Sequence, residues 1–120
     1  MNKPITTFKE YQVAALSTSA DFPASDEPWY VSMGISGEAG EIADGLKKAY
    51  RKFHSFDKVP EDVKQHLLSE CGDTLWYLSK MCKLLGGDLQ TAANINIKKL
   101  AARKEKGTIV DSSKRDKADT

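Results

Sequence analysis

The sequence predicts an all-α protein that resembles a four-helix bundle. Apolar residues recur every three or four positions in four separate stretches of the 120-residue chain, and proline or glycine residues separate these stretches. The chain lacks the strict alternation of apolar and polar residues that is typical of strands. We therefore expect four helices, near residues 5–19, 28–53, 60–86 and 88–106.

The first helix is expected to begin after Thr6 or Thr7, because either hydroxyl can cap it. Its apolar residues at helical spacing are Ile5, Phe8, Tyr11, Ala15 and Leu16. Gln12 lies beside this stripe, and two interpretations remain open for it. It is either an ordinary boundary residue or a polar group that points into a binding site.

The second helix is expected to begin at Pro28, because proline is favoured in the first turn. Its apolar stripe comprises Val31, Ile35, Ile42, Leu46, Ala49 and Phe53. Glu38 lies inside this stripe, where the helical period calls for an apolar residue, and Glu41 lies about one turn further along. Since burying a lone carboxylate is costly, Glu38 is expected to face a metal ion or another cation.

A basic cluster ends the second helix, and it consists of Lys47, Lys48, Arg51 and Lys52. Two interpretations are open here as well. The cluster balances the negative end of the helix dipole, or it supplies ligands for phosphate groups. We regard Lys48 as a candidate substrate-binding residue.

The third helix is expected to begin at Pro60 and to pack through a seam of apolar residues. The seam comprises Leu67, Cys71, Leu75, Leu78, Cys82 and Leu85. Glu70, Asp73 and Tyr77 form a parallel row roughly 100° away around the helix, so we expect them to point into the bundle or its mouth. Two reduced thiols facing the core would suit a cytoplasmic protein.

The fourth helix is expected to begin after Asp88 and to end at Gly107. Its inner row is Leu89, Ala93, Asn96 and Leu100, with Lys99 and Arg103 beside it. Residues 1–107 are expected to form one domain, and the polar stretch 108–120 is expected to be a disordered tail.

Composition argues against two classes of partner. The net charge is +1, too close to neutral for a protein dedicated to nucleic-acid binding. The chain has no run of 18 apolar residues, so no membrane span is expected. Its first residues lack the apolar segment of a signal peptide, so we expect a cytoplasmic protein.

Two pairs of acidic residues carry the chemistry. Glu38 and Glu41 form one pair, and Glu70 and Asp73 form the other. Residues three apart share a face of a helix, so each pair presents two carboxylates in one direction. Four facing carboxylates would bind Mg²⁺ or Mn²⁺, which prefer oxygen ligands. No Glu-x-x-His motif of di-iron bundles and no zinc-ligand spacing accompanies them.

The same four acids resemble the motif of the MazG-like nucleoside triphosphate pyrophosphohydrolases, Glu-x-x-Glu followed by Glu-x-x-Asp. The segments 37–44 and 72–78 also match that family in the residues around the motif, and 96–103 is similar to its Asn-Ile-x-Lys-Leu-x-x-Arg segment. One departure occurs after Arg103, where many members have Tyr-Pro and this chain has Lys104-Glu105.

The resemblance implies a MazG-type all-α fold and Mg²⁺-dependent cleavage between the α and β phosphates, with a nucleoside monophosphate and pyrophosphate as products. It also implies a homodimer or homotetramer. By position, Glu38, Glu41, Glu70 and Asp73 are the implied metal ligands. Asn96, Lys99 and Arg103 are the implied phosphate ligands, with Tyr77 beside the nucleotide.

Glu41 or Glu38 is expected to orient or deprotonate the attacking water. Gln12 is available to hydrogen-bond the base, which would rest against Tyr77 or a tryptophan. The alternative function is a non-catalytic helical module, which serves oligomerisation or binds a divalent metal ion only structurally.

Overall fold

A computed structural model describes residues 3–20 and 22–107, and within these ranges every regular element is helical. The elements are α1 (Phe8–Ser17), α2 (Glu27–Phe53), a short 3-10 helix (Phe56–Lys58), α3 (Glu61–Leu84) and α4 (Leu89–Lys106). The prediction of an all-α fold is confirmed. The predicted tail over residues 108–120 lies outside the described residues.

Local capping explains where the helices begin and end. Thr7, one of the two predicted caps, accepts a hydrogen bond from the backbone N–H of Glu10, so α1 begins at Phe8. Asp88 caps α4 in the same way. Gly107 ends α4 in the left-handed conformation that glycine adopts without strain.

Helices α2 and α3 pack closely side by side, and two glycines of α2 permit the approach. A Cβ atom on Gly34 would lie 2.5 Å from Cδ1 of Tyr77, and one on Gly45 would lie 2.5 Å from Cδ2 of Leu67. Because the earlier glycine faces the later residue of α3, the two helices run antiparallel. This register sets the two acid pairs level with each other across the interface.

Gln12 holds α1 against the end of α3 and the beginning of α4. Its side chain is buried, its Nε2 donates to the carbonyl of Ser79 at 3.0 Å, and its Oε1 accepts from the N–H of Leu89 at 2.7 Å. Both ends of the amide are therefore used within the chain. Within one chain Gln12 therefore has a structural role, and its predicted hydrogen bond to the base stays a prediction.

A buried lysine joins the loop after α1 to α3. The Lys80 ammonium donates to the hydroxyl of Ser19 at 2.6 Å, lies 3.3 Å from a carboxylate oxygen of Glu27, and sits 5.0 Å from the ring centroid of Trp76. Trp76 in turn donates from its indole N–H to the hydroxyl of Thr18. Trp76 is therefore part of this connection rather than an exposed aromatic residue.

The apolar core within one chain is small. Its buried residues are Ala15, Val31, Ala49, Val59, Leu67 and Leu89. The predicted seam of α3 is buried only in part, because Cys71 is exposed rather than core-facing and Leu85 is 80% exposed. No helix in the described part of the chain is long and apolar enough to cross a membrane.

Candidate metal centre

Three of the four predicted acids come together between α2 and α3. Glu38, Glu41 and Glu70 each offer a carboxylate oxygen, and these oxygens all lie within 4.8 Å of one another. Helical spacing places Glu38 and Glu41 on the same side of α2, and the antiparallel register brings α3 level with them. The fold thus concentrates negative charge from two helices at one point.

The side chain of Glu70 is largely enclosed. Its side chain is 12% exposed, its Oε1 lies 3.4 Å from Nε2 of His66, and its Oε2 is buried without a hydrogen-bond partner. Burial raises the pKa of Glu70 above its usual range, and the neighbouring Glu41 and Glu38 raise it further. An enclosed, unpartnered carboxylate oxygen between two other acids has the surroundings of a cation ligand.

The donor set fits a hard divalent cation. All three groups are carboxylates, and Mg²⁺ and Mn²⁺ prefer oxygen ligands, whereas zinc is generally bound by cysteine or histidine. The unpartnered Oε2 of Glu70 is the observation that supports this fit. A bound cation would satisfy this atom and remove the repulsion among the three acids.

Asp73, the fourth predicted ligand, lies outside the group of three. Its side chain is exposed. Burial and then the charge of Asp73 raise the pKa of Tyr11, and Asp73 adds to the raised pKa of Tyr77 after burial, Tyr30 and Glu38. Asp73 is one turn from Glu70 and level with Glu38, so it borders the site without joining the cluster.

A cleft opens beside the acids toward the C-terminal end of α2. It has a volume of about 530 Å³, and Glu41 and Glu70 form the wall that it shares with the acid cluster. Its charged lining residues beyond these two are Asp44, Lys48, Lys52 and His66. Asp44 lies 2.8 Å from the ammonium of Lys48 and 3.1 Å from that of Lys47, and these lysines lower its pKa.

Aromatic side chains lie on the other side of the acids. Tyr77 packs against Gly34, and its pKa is raised by burial and then by the neighbouring Tyr30 and Glu38. Tyr30 stacks on Phe22 with ring centroids 4.6 Å apart. Tyr77 therefore lies beside the acid cluster, and its position next to a nucleotide stays a prediction.

The structure does not bring the predicted phosphate ligands of α4 to this site. Among the described residues α4 packs against α1 and α3 and makes no contact with α2. Asn96 and Lys99 are exposed, Arg103 is partly buried, and none of the three lines the cleft. Their role as phosphate ligands stays a prediction.

Sequence reasoning did not assign a site role to Tyr30 or Asp44, and it named Lys52 only as a member of the basic cluster that ends α2. Tyr30 and Lys52 lie on the same side of α2 as the acids, and helical spacing from Glu38 was the signal that could have found them. Asp44 follows Glu41 by three residues and precedes Lys48 by four. Its ion pairs with the lysines were therefore also accessible from spacing.

Comparison of the sequence with known proteins identifies the family of this chain. The chain matches the family model of the MazG nucleotide pyrophosphohydrolase domain over residues 30–108. It is also 35% identical over 107 residues to the Gene 37 protein of Mycobacterium phage L5, an alignment that covers 85% of this chain and 92% of that protein. No solved structure matches it. The chain belongs to the MazG nucleotide pyrophosphohydrolase domain family.

Proposed function

We propose that this protein is a Mg²⁺-dependent nucleoside triphosphate pyrophosphohydrolase. It converts a ribo- or deoxyribonucleoside triphosphate and water to the nucleoside monophosphate and pyrophosphate. The observation that carries the proposal is the cluster of Glu38, Glu41 and Glu70, with an unpartnered oxygen on Glu70. A cluster that only stabilised the fold would not leave three acids facing one another beside an open cleft.

The three acids would hold Mg²⁺, or Mn²⁺ in its place, with Asp73 available at the border of the site. When bound, the metal would supply charge stabilisation for the phosphates and activation of water. Glu41 is exposed at the mouth of the cleft, which suits it to orient the attacking water and accept its proton, with Glu38 as the alternative base. The water oxygen bonds to the α phosphorus, and the bond from that phosphorus to the bridging oxygen breaks.

The leaving pyrophosphate carries away the electron pair of the broken bond. Cationic side chains stabilise this developing charge when they lie within reach of the β and γ phosphates. Lys48 lines the cleft and can do so within one chain. Asn96, Lys99 and Arg103 do not border the cleft of their own chain, so we propose that they would act from a second copy.

Product analysis in ¹⁸O-labelled water tests the reaction. We expect pyrophosphate and a nucleoside monophosphate that carries the label, because water attacks the α phosphorus. Orthophosphate with a nucleoside diphosphate would contradict the assigned bond. If Mg²⁺ binds the cluster but a panel of canonical and modified nucleoside triphosphates is left intact, the protein is the non-catalytic metal-binding module instead.

We further propose that the protein acts as a homodimer or homotetramer. The face of α2 that points away from α3 carries large apolar residues, among them Trp29 (70% exposed), Met33 (64%) and Tyr50 (71%). They lie on one stripe of the helix, as residues that pack against another helix do. Ile97 of α4, which is 65% exposed, is a further apolar residue that a second copy could cover.

Light scattering checks this assembly. We expect at least twice the chain mass, and we expect Met33→Asp to shift the protein toward a monomer because it places a charge within the stripe. Lys106→Gln is the matched control, since it also lowers the net charge by one, at the exposed end of α4. A wild-type protein that is monomeric and fully active at working concentration would contradict the proposal.

A further inference from the structure

One side of α2 carries a continuous row of residues that faces the groove between α2 and α3. In chain order the row is Tyr30, Gly34, Glu38, Glu41, Gly45, Lys48 and Lys52. With a rise of about 1.5 Å per residue, Glu38 and Lys48 are roughly 15 Å apart along the axis. The row thus extends well beyond the acid cluster in both directions.

The two ends of this groove differ in chemistry. At the C-terminal end of α2 the row reaches the 530 Å³ cleft, whose walls carry Lys48 and Lys52. At the other end Tyr77 fills the space over Gly34 and lies beside Tyr30, which is 45% exposed. A cationic end suits phosphate groups, and an aromatic end suits a base or sugar.

We propose that the nucleotide binds along this groove in a single orientation. Its β and γ phosphates contact Lys48 and Lys52, and its nucleoside lies toward Tyr77 and Tyr30. This proposal rests on the function proposed above. It assigns a pyrophosphate subsite to the C-terminal end of α2, within the chain that also holds the acids. The α phosphate then lies between the two ends, at the acid cluster.

The size of the cleft agrees with this assignment. Its volume of about 530 Å³ lies within the range of roughly 300–1,000 Å³ that is usual for small-molecule sites. Glu41 and Glu70 belong both to the acid cluster and to the lining of the cleft. A phosphate chain that begins at the acids can therefore continue into the cleft without leaving the protein surface.

The charges of the cleft explain why it would take a polyphosphate only together with the metal. Lys48 and Lys52 are opposed there by three acids, Glu41, Asp44 and Glu70. Without a metal ion these charges leave the cleft unattractive to an anion. A divalent cation at the acid cluster would reverse this balance, and the lysines would then be available to the phosphates.

Asp44 keeps Lys48 at the cleft before the substrate arrives. Their ion pair is 2.8 Å long, but the side chains are 44% and 69% exposed. Exposed pairs of this kind contribute little to stability, so Lys48 can exchange Asp44 for a phosphate at low cost. The pair therefore positions the lysine without locking it.

Calorimetric titration of the full chain in the presence of Mg²⁺ tests the direction of binding. Inorganic pyrophosphate and a nucleoside monophosphate are titrated separately. We expect the double variant Lys48→Gln/Lys52→Gln to weaken pyrophosphate binding by about tenfold or more, because charge-assisted hydrogen bonds are lost. We expect its affinity for the monophosphate to change far less. Tyr30→Leu should show the opposite pattern.

The double variant Lys98→Gln/Lys104→Gln is the control, since it removes the same charge from exposed positions of α4. It should bind both ligands as the wild type does. The proposal is overturned if Lys48→Gln/Lys52→Gln leaves pyrophosphate binding unchanged, or if it weakens the monophosphate instead. If the wild-type protein binds pyrophosphate through these lysines but hydrolyses no nucleoside triphosphate, the proposed function is wrong and the pyrophosphate subsite is retained.

Discussion

Gly34 and Gly37 lie three residues apart on α2, and replacing Gly37 by alanine should stabilise the protein, whereas the same replacement at Gly34 should not. A Cβ atom at Gly37 meets nothing within 4 Å, whereas one at Gly34 would lie 2.5 Å from Cδ1 and 2.6 Å from Cζ of Tyr77. The two substitutions add the same methyl group to the same helix. They therefore separate helix propensity from close packing against α3.

The expected magnitudes follow from these distances. Gly37→Ala should stabilise the protein by about 1 kcal/mol, the usual gain of alanine over glycine in a helix interior. Gly34→Ala gains the same propensity, but its methyl group approaches Tyr77 about 1 Å closer than ordinary carbon contacts of roughly 3.5–4.0 Å allow. Overpacking of this kind costs about 1–3 kcal/mol, so Gly34→Ala should be neutral to destabilising by about 2 kcal/mol.

Thermal unfolding at one protein concentration measures the difference. A gap of about 1–3 kcal/mol corresponds to roughly 4–12 °C in Tm for a domain of this size. The rate of pyrophosphate release provides a second measurement. Gly34→Ala should raise KM, because moving the Tyr77 ring disturbs the proposed nucleoside end of the groove.

A double variant identifies the clash as the cause. Tyr77→Leu removes the ring, so adding Gly34→Ala in that background should cost less than it does in the wild type. If Gly34→Ala raises Tm as much as Gly37→Ala does and leaves the kinetics unchanged, Gly34 is not needed for the close approach of Tyr77.

Three further predictions concern the acid cluster and the contacts of α1. The pKa of Glu70 is raised in the folded state, so ionisation of Glu70 lowers the free energy of unfolding. This loss of stability disappears as the pH falls through the raised pKa, because Glu70 then becomes protonated. Glu70→Gln should therefore make the metal-free protein more stable near neutral pH and make its stability depend less on pH. It should also abolish the stabilisation by Mg²⁺. Denaturant unfolding at several pH values measures these effects, and a variant that behaves as the wild type does would contradict the prediction. Gln12→Ala should destabilise the fold by about 1–3 kcal/mol, because the buried N–H of Leu89 loses its partner, and chemical denaturation measures the loss. Trp76→Phe removes the indole N–H that bonds Thr18, so proteolysis should cut the loop after α1 faster, and an unchanged rate would show that this bond does not hold the loop.

Short-range patterns in the sequence predicted the parts of the fold that depend on short-range physics. Helical periodicity and the capping residues identified all four helices, since these signals act over one or two turns. Glu38 stood out because an acid within an apolar stripe must have a compensating partner. The fold class and the family were therefore accessible from the amino-acid sequence by itself.

Only the tertiary structure decided which side chains from different helices lie close together. Spacing set Glu70 and Asp73 on one side of α3, but only the packing of α3 against α2 brings Glu70 together with the acids of α2 and leaves Asp73 outside their cluster. Gln12 lies at the boundary of an apolar stripe in the sequence, and only packing reveals that the backbone of α3 and α4 uses both ends of its amide. Such outcomes depend on contacts between residues far apart in the chain, and a local pattern carries no information about those distances.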